Sequence, residues 1–108
     1  MCGLAGLIHF GGKLVLKDRN ALEQFAEPLK FRGPDASGYY SETKEGVAIQ
    51  FAHKRLSIID LSEGGAQPKL SPSGKSIITF NGEIYNYQTL KQELTQKGAV
   101  FYSNSDTE

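Results

Sequence analysis

The chain carries one cysteine, Cys2, directly behind the initiator methionine. A small residue at that place leaves Met1 open to removal, and the cysteine then becomes the amino terminus. Thiols ordinarily titrate near ~8.5 and α-amines near ~8. A nucleophile and a base of matched strength would then share one residue. Such a thiol needs no separate histidine or aspartate for its activation. The other reading of a lone cysteine is a small, buried apolar residue. The two histidines, His9 and His53, read as structural, and a Cys–His pair is the rival mechanism.

Four further segments follow in order: Arg32-Gly33-Pro34-Asp35, His53-Lys54-Arg55-Leu56-Ser57-Ile58-Ile59-Asp60, Asn81-Gly82-Glu83-Ile84-Tyr85-Asn86 and Ser105-Asp106-Thr107-Glu108. With Met1-Cys2-Gly3 they resemble the class II glutamine amidotransferase domain, an N-terminal-nucleophile hydrolase, from Cys2 to Glu108. Gly-Pro-Asp after Arg32, Leu-Ser-Ile-Ile-Asp after Arg55 and Glu-Ile-Tyr-Asn after Gly82 bring the resemblance nearest to the glutaminase half of glutamine-hydrolysing asparagine synthetases.

The resemblance implies that Cys2 attacks the side-chain carboxamide of L-glutamine. Ammonia leaves and a thioester remains for water, with the Cys2 α-amine carrying the proton. Asn81 and Gly82 would form the oxyanion hole, the Asn81 amide and the Gly82 N–H converging on one oxygen. An isolated Asn-Gly is otherwise a hairpin turn signal. Arg55 would clamp the α-carboxylate through two parallel hydrogen bonds, beside main-chain groups of Leu56, Ser57, Ile58 and Ile59. Glu83 and Asp106 would take the α-ammonium and nearby polar groups, and Ser-Asp-Thr-Glu also reads as a helix start. Arg32 and Asp35 read as an architectural turn beside the nucleophile, with contact to the site as the alternative. Lys54 is assigned to solvent.

The elements that must position these groups are those of an α+β domain. Gly3 to Phe10 reads as a buried strand with Gly11-Gly12 as its turn. Asp18 caps a helix whose apolar stripe is Leu22, Phe25, Ala26 and Leu29, and Pro28 ends or kinks it. Ser37 to Ser41 and residues 46–53 read as strands, and Arg55 to Leu61 continues apolar and β-branched. Residues 63–68 read as a loop, 71–75 as a hairpin turn and 76–80 as a strand. Asn86 caps a second helix with Tyr87, Leu90 and Leu94 on one face, closed by Gly98. Residues 99–102 read as a last strand.

Twelve basic and twelve acidic residues cancel, so no cationic excess suggests a nucleic-acid or acidic-membrane partner. One cysteine makes no internal disulfide, and neither histidine stands at metal-ligand spacing, so no metal is expected. The apolar first ten residues lack a positive leader and are cut off by glycines, which is neither a signal peptide nor a membrane span. The cytoplasm is the default location. The resemblance implies an αββα sandwich of two antiparallel sheets with flanking helices. Glu108 falls inside a motif, so residues 1–108 are expected to be the N-terminal part of the glutaminase domain, truncated on its C-terminal side. Exposed strand edges, an uncovered apolar face and a homodimer are then possible consequences. No cofactor is expected in this chain, because no phosphate loop is present. ATP and Mg²⁺ would belong only to an absent synthetase domain, the expected partner that receives the ammonia. The alternatives are a non-catalytic interaction piece, or the glutaminase part of a related amidotransferase with another acceptor.

Overall fold

The computed structural model describes all 108 residues. Three antiparallel strands form the main sheet in the order β1-β3-β2: β1 is Gly3–His9, β2 Ala36–Lys44 and β3 Val47–Arg55. The central strand runs its C-terminal end, Lys54 and Arg55, beside Gly3 of β1 and Ala36–Ser37 of β2. Cys2 thus starts its strand next to the residues that leave β3. A second sheet of two short strands, β4 (Lys69–Leu70) and β5 (Ile77–Ile78), completes an α+β architecture with helices α1 (Arg19–Ala26) and α2 (Tyr87–Gln96).

Helix α1 covers one face of the main sheet. Asp18 caps it, its carboxylate accepting from Ala21 N–H at 2.8 Å. Pro28 ends the α-helix at Ala26 and sits in a tighter 3₁₀ turn, Glu27–Leu29. Leu22 and Ala26 pack on Ala52 of β3 to form the small core, flanked by Leu16 and Tyr39. Phe25, placed in the apolar stripe by its spacing, stays 43% exposed. The buried Gln50 docks the segment before α1 by giving and taking a hydrogen bond with the main chain of Leu16, both 2.9 Å. Both polar ends of this buried amide are thereby satisfied.

The opposite face is covered only near the end of β3, where Thr79 meets the buried His53 and the Gln67 main chain lies on Gly38; the rest stays open. Leu4 and Ile8 of β1 stand across from His53 and Ile49 of β3, and they are 42% and 57% exposed. The chain is a slab of 43 × 34 × 18 Å with a radius of gyration of 15.0 Å, above the ~13 Å of a compact domain of this length. No helix is long and apolar enough to cross a membrane.

Several expected elements take a different form. The strand foreseen at 37–41 extends over Ala36–Lys44 and turns through Glu45-Gly46, both at positive φ, into β3. Residues 56–61 leave the sheet instead of extending it, because side chains capture their main-chain groups. Cys2 Sγ takes Leu56 N–H at 3.3 Å and the Asp35 carboxylate takes Ser57 N–H at 2.8 Å. The strand foreseen at 76–80 is cut to Ile77–Ile78, since the Gln67 side chain takes Phe80 N–H. No strand forms at 99–102, where the Glu108 carboxylate accepts from Tyr102 N–H and Ser103 N–H, both 2.7 Å, in place of a neighbouring strand. At residues 105–108 Ser105 Oγ accepts from Thr107 N–H at 3.2 Å and its carbonyl from Glu108 N–H at 3.4 Å, a turn of the kind that opens a helix. Helix α2 forms, but Asn86 makes no side-chain cap, and Leu90 and Leu94 remain exposed; Gly98, at φ +94°, follows its end.

Candidate active site

Strand β1 delivers Cys2 to the end of the sheet. Gly3 has no side chain because Leu29 and Arg32 lie over it: a Cβ there would stand 3.0 Å from Leu29 Cβ. This packing lets Arg32 Nε donate to the Cys2 carbonyl at 3.1 Å. Gly33 passes so close to the end of β3 that a Cβ would stand 2.5 Å from Arg55 N. Asp35 N–H then donates to the Arg55 carbonyl at 2.9 Å, while its carboxylate holds Ser57. Arg32 and Asp35 therefore brace the start of β1 and the 55–57 corner.

The half-buried Cys2 sulfur rests on the peptide of Leu56, accepting its N–H at 3.3 Å and facing its carbonyl at 3.6 Å. Neither histidine pairs with it. His9 Nδ1 contacts the Lys13 carbonyl at 3.0 Å, and His53 Nδ1 contacts Thr79 Oγ1 at 2.9 Å. The Cys–His arrangement is thus not formed. Burial, then the charge of Arg55, holds the His53 imidazole below its ordinary pKa, and its buried Nε2 has no partner.

A cavity of about 330 Å³ opens over Cys2. Arg55, Leu56, Ile58, Ile59, Asn81, Gly82, Glu83 and Asp106 line it, and so does Met1. Ser57 is absent from the wall, its N–H turned to Asp35. The volume is of the size that takes small molecules.

The buried Arg55 guanidinium donates to the Ser62 carbonyl at 2.8 Å and to the Asp60 carbonyl. Five N–H donors are available on arginine, so donors remain for a ligand carboxylate. Buried Gly65 provides the space, since a Cβ there would stand 2.7 Å from Arg55 Cζ. Asp60 organises the supporting loop. Its carboxylate accepts from Ser62 Oγ at 2.5 Å, Ser62 N–H at 2.8 Å and Asn104 N–H at 3.0 Å. These bonds, the Ser62 hydroxyl first, hold it below the usual carboxylate range.

Asn81 and Gly82 do not make a hairpin. No strand follows them, and Gly82 lacks a positive φ. A Cβ on Gly82 would meet Phe80 Cζ at 2.7 Å, so any other residue there must turn that ring aside. The Asn81 amide makes no hydrogen bond within the chain and borders the cavity. Asp106 Oδ2 accepts from Ile84 N–H at 2.9 Å, which fixes Glu83 and Asp106 on one side of the cavity, while the Glu83 side chain is exposed. Lys54, assigned to solvent by its charge, is buried. Its ammonium donates to Ser37 Oγ at 3.0 Å and Tyr39 OH at 2.9 Å and stands 3.9 Å from the Glu27 carboxylate, and these groups together compensate its burial.

Residues 1–108 match the family model described as a glutamine amidotransferase domain. The chain belongs to this family. This glutamine amidotransferase domain is 40% identical over 109 residues to asparagine synthetase [glutamine-hydrolyzing] 1 of Bacillus subtilis, in an alignment covering 100% of the chain and 16% of the relative. Asparagine synthetase B [glutamine-hydrolyzing] of Escherichia coli is 37% identical over 108 residues, again covering 100% of the chain and 18% of the relative. A putative asparagine synthetase [glutamine-hydrolyzing] 2 of Methanocaldococcus jannaschii is 35% identical over 107 residues, 86% of the chain and 20% of the relative. The chain thus spans about a sixth to a fifth of the length of these relatives. No solved structure matches it significantly.

The motif order pointed to Cys2, Arg55, Asn81 and Asp106. Sequence reasoning left Gly65, Gln67 and Thr107 without a role, although all three line the cavity. Gln67 carried one readable signal: Gly-Gly-Ala-Gln-Pro is unusually free of charge for a surface loop.

Proposed function

We propose that this chain is the N-terminal part of the glutaminase domain of a glutamine-hydrolysing asparagine synthetase, completed by further strands into an αββα sandwich. The observation that carries the reading is the gathering of Cys2, Arg55, Asn81, Gly82 and Asp106 around one cavity, from segments more than a hundred residues apart at the extremes. The relatives' names support the choice of branch.

In this reading Met1 is removed, which frees the Cys2 amine and vacates the part of the cavity that Met1 borders. Arg55 takes the α-carboxylate of L-glutamine, and Asp106 and Glu83 take its α-ammonium. A zwitterion needs one cation and at least one anion, and the cavity offers both. The carboxamide carbon then faces the sulfur. The thiol proton passes to the amine, sulfur bonds to the carbon, and the oxyanion receives the Asn81 amide and the Gly82 N–H. The C–N bond breaks as the amine returns its proton to the leaving nitrogen, which departs as ammonia. Water attacks the thioester, glutamate leaves, and the thiol is restored. The ammonia is used by an ATP-dependent synthetase domain to convert aspartate to asparagine.

Glutamate and ammonia release, measured on the protein expressed from its own gene, tests the proposal. Cys2→Ala abolishes the activity. Asn81→Ala lowers kcat by about 10²–10³-fold with the fold retained. Full glutaminase activity in Cys2→Ala would end the proposal.

A further inference from the structure

Gln67 belongs to no motif that carries the chemistry, yet its side chain joins two walls of the cavity. Its Oε1 accepts from Phe80 N–H at 2.5 Å, one residue before Asn81. Its Nε2 donates to Thr107 Oγ1 at 3.0 Å, one residue after Asp106. Together with the Ile84 N–H bond to Asp106 Oδ2 at 2.9 Å, this planar amide sets the distance between the segment carrying the oxyanion donors and the segment carrying the ammonium acceptor, and it alone bridges both from the sheet side. The main chain of Gln67 is itself seated on the sheet. Gly38 of β2 has no Cβ because one would stand 2.8 Å from the Gln67 carbonyl carbon.

Neither segment has another firm tie to the main sheet near its functional residue. The 79–82 segment has only Thr79 Oγ1 against His53. The end of the chain has Asn104 N–H on Asp60. Both walls lack regular secondary structure, with strand β5 ending at Ile78 and no element following α2. Side-chain bonds must replace the ladder that would otherwise fix them.

We propose that Gln67 is a positioning residue that couples the oxyanion hole to the amino-acid clamp. Its amide holds Asn81 and Asp106 at the separation that one glutamine molecule must span between its reacting carbonyl and its α-ammonium. This rests on the glutaminase reading above. Loss of the amide lets both segments shift at once, and sub-ångström placement is what such a site requires. Gln67→Ala is expected to lower kcat about tenfold, through Asn81, and to raise KM for glutamine about tenfold, through Asp106.

The test is a pair of double-mutant cycles in the protein expressed from its own gene. In an Asn81→Ala background, Gln67→Ala changes kcat by less than about twofold, because the group through which it acts is gone. In an Asp106→Ala background its effect on KM shrinks likewise. Gln67→Glu, which keeps an acceptor for Phe80 N–H and can accept from the Thr107 hydroxyl, recovers most of kcat. Gln67→Met fills the same space without either bond and should behave as Gln67→Ala, so the test survives if the smaller side chain fails to fold. Equal factors for Gln67→Ala in all three backgrounds would mark a general structural role and overturn the proposal. Near-wild-type kinetics in Asn81→Ala and Asp106→Ala alone would instead overturn the glutaminase reading, and this inference with it.

Discussion

Replacing Gly65 by alanine displaces the Arg55 guanidinium without changing any charged or polar group. The new Cβ would stand 2.7 Å from Arg55 Cζ. Carbon atoms pack at about 3.5–4.0 Å, so the guanidinium must move by on the order of 1 Å. It is already held by the Ser62 and Asp60 carbonyls, so the displacement disturbs the donors that Arg55 presents to the cavity it lines. A misplacement of that size costs about 10²-fold in turnover efficiency, or about 2.7 kcal/mol of transition-state stabilisation. Gly65 has no positive φ, so the backbone accepts alanine, and overpacking should cost about 1–3 kcal/mol of stability. The assay compares kcat/KM for L-glutamine and for 4-aminobutanamide, which lacks the α-carboxylate. Gly65→Ala should lose about two decades on glutamine and little on the amide that never used Arg55. Equal losses on both substrates, or none on glutamine, would refute the assignment of Arg55 to the carboxylate.

Arg55→Lys should lower kcat/KM for glutamine by at least about tenfold, because an ammonium cannot form two parallel bonds to a carboxylate while also serving the loop carbonyls; retained kcat/KM would contradict this. Glu45, at φ +51° in the β2–β3 turn, sits in the left-handed region, and Glu45→Asn or Glu45→Gly should stabilise the chain by about 0.5–1 kcal/mol in urea unfolding. Because burial holds His53 below its ordinary value, the unfolded chain takes up a proton first as pH falls through about 6.5. Its contribution is complete above that pH and is lost below it. Unfolding free energy should therefore fall from about pH 7.5 to 5.5, and His53→Gln should flatten that slope.

The site was legible where residue type alone limits the chemistry. A lone cysteine at the second position, an arginine, an Asn-Gly step and an aspartate stood in order along the sequence, and one cavity gathers them. Helix α1 was legible too, because Asp18 and Pro28 punctuate it through local backbone chemistry. Contacts distant in sequence were not. Residues 56–61 look like a strand continuing β3, and they are pulled from the sheet by Cys2 and Asp35, 54 and 22 residues away. The charge of Lys54 suggests solvent, but its place on the central strand under α1 buries it among hydroxyls. The uncharged Gly-Gly-Ala-Gln-Pro stretch marked the loop but not the bonds of Gln67, which reach Phe80 and Thr107, 13 and 40 residues ahead. The Asn-Gly step taken alone reads as a hairpin, a reading weakened by the Glu-Ile-Tyr-Asn that follows, and no strand follows it to make one.

The most direct measurement is intact-mass analysis, with peptide mapping, of active protein before and after treatment with a diazoketone analogue of glutamine. A chain beginning at Cys2, one adduct on that residue and complete loss of glutaminase activity are expected. Active protein that retains Met1, or inactivation with the adduct on any other residue, would contradict the terminal-cysteine mechanism.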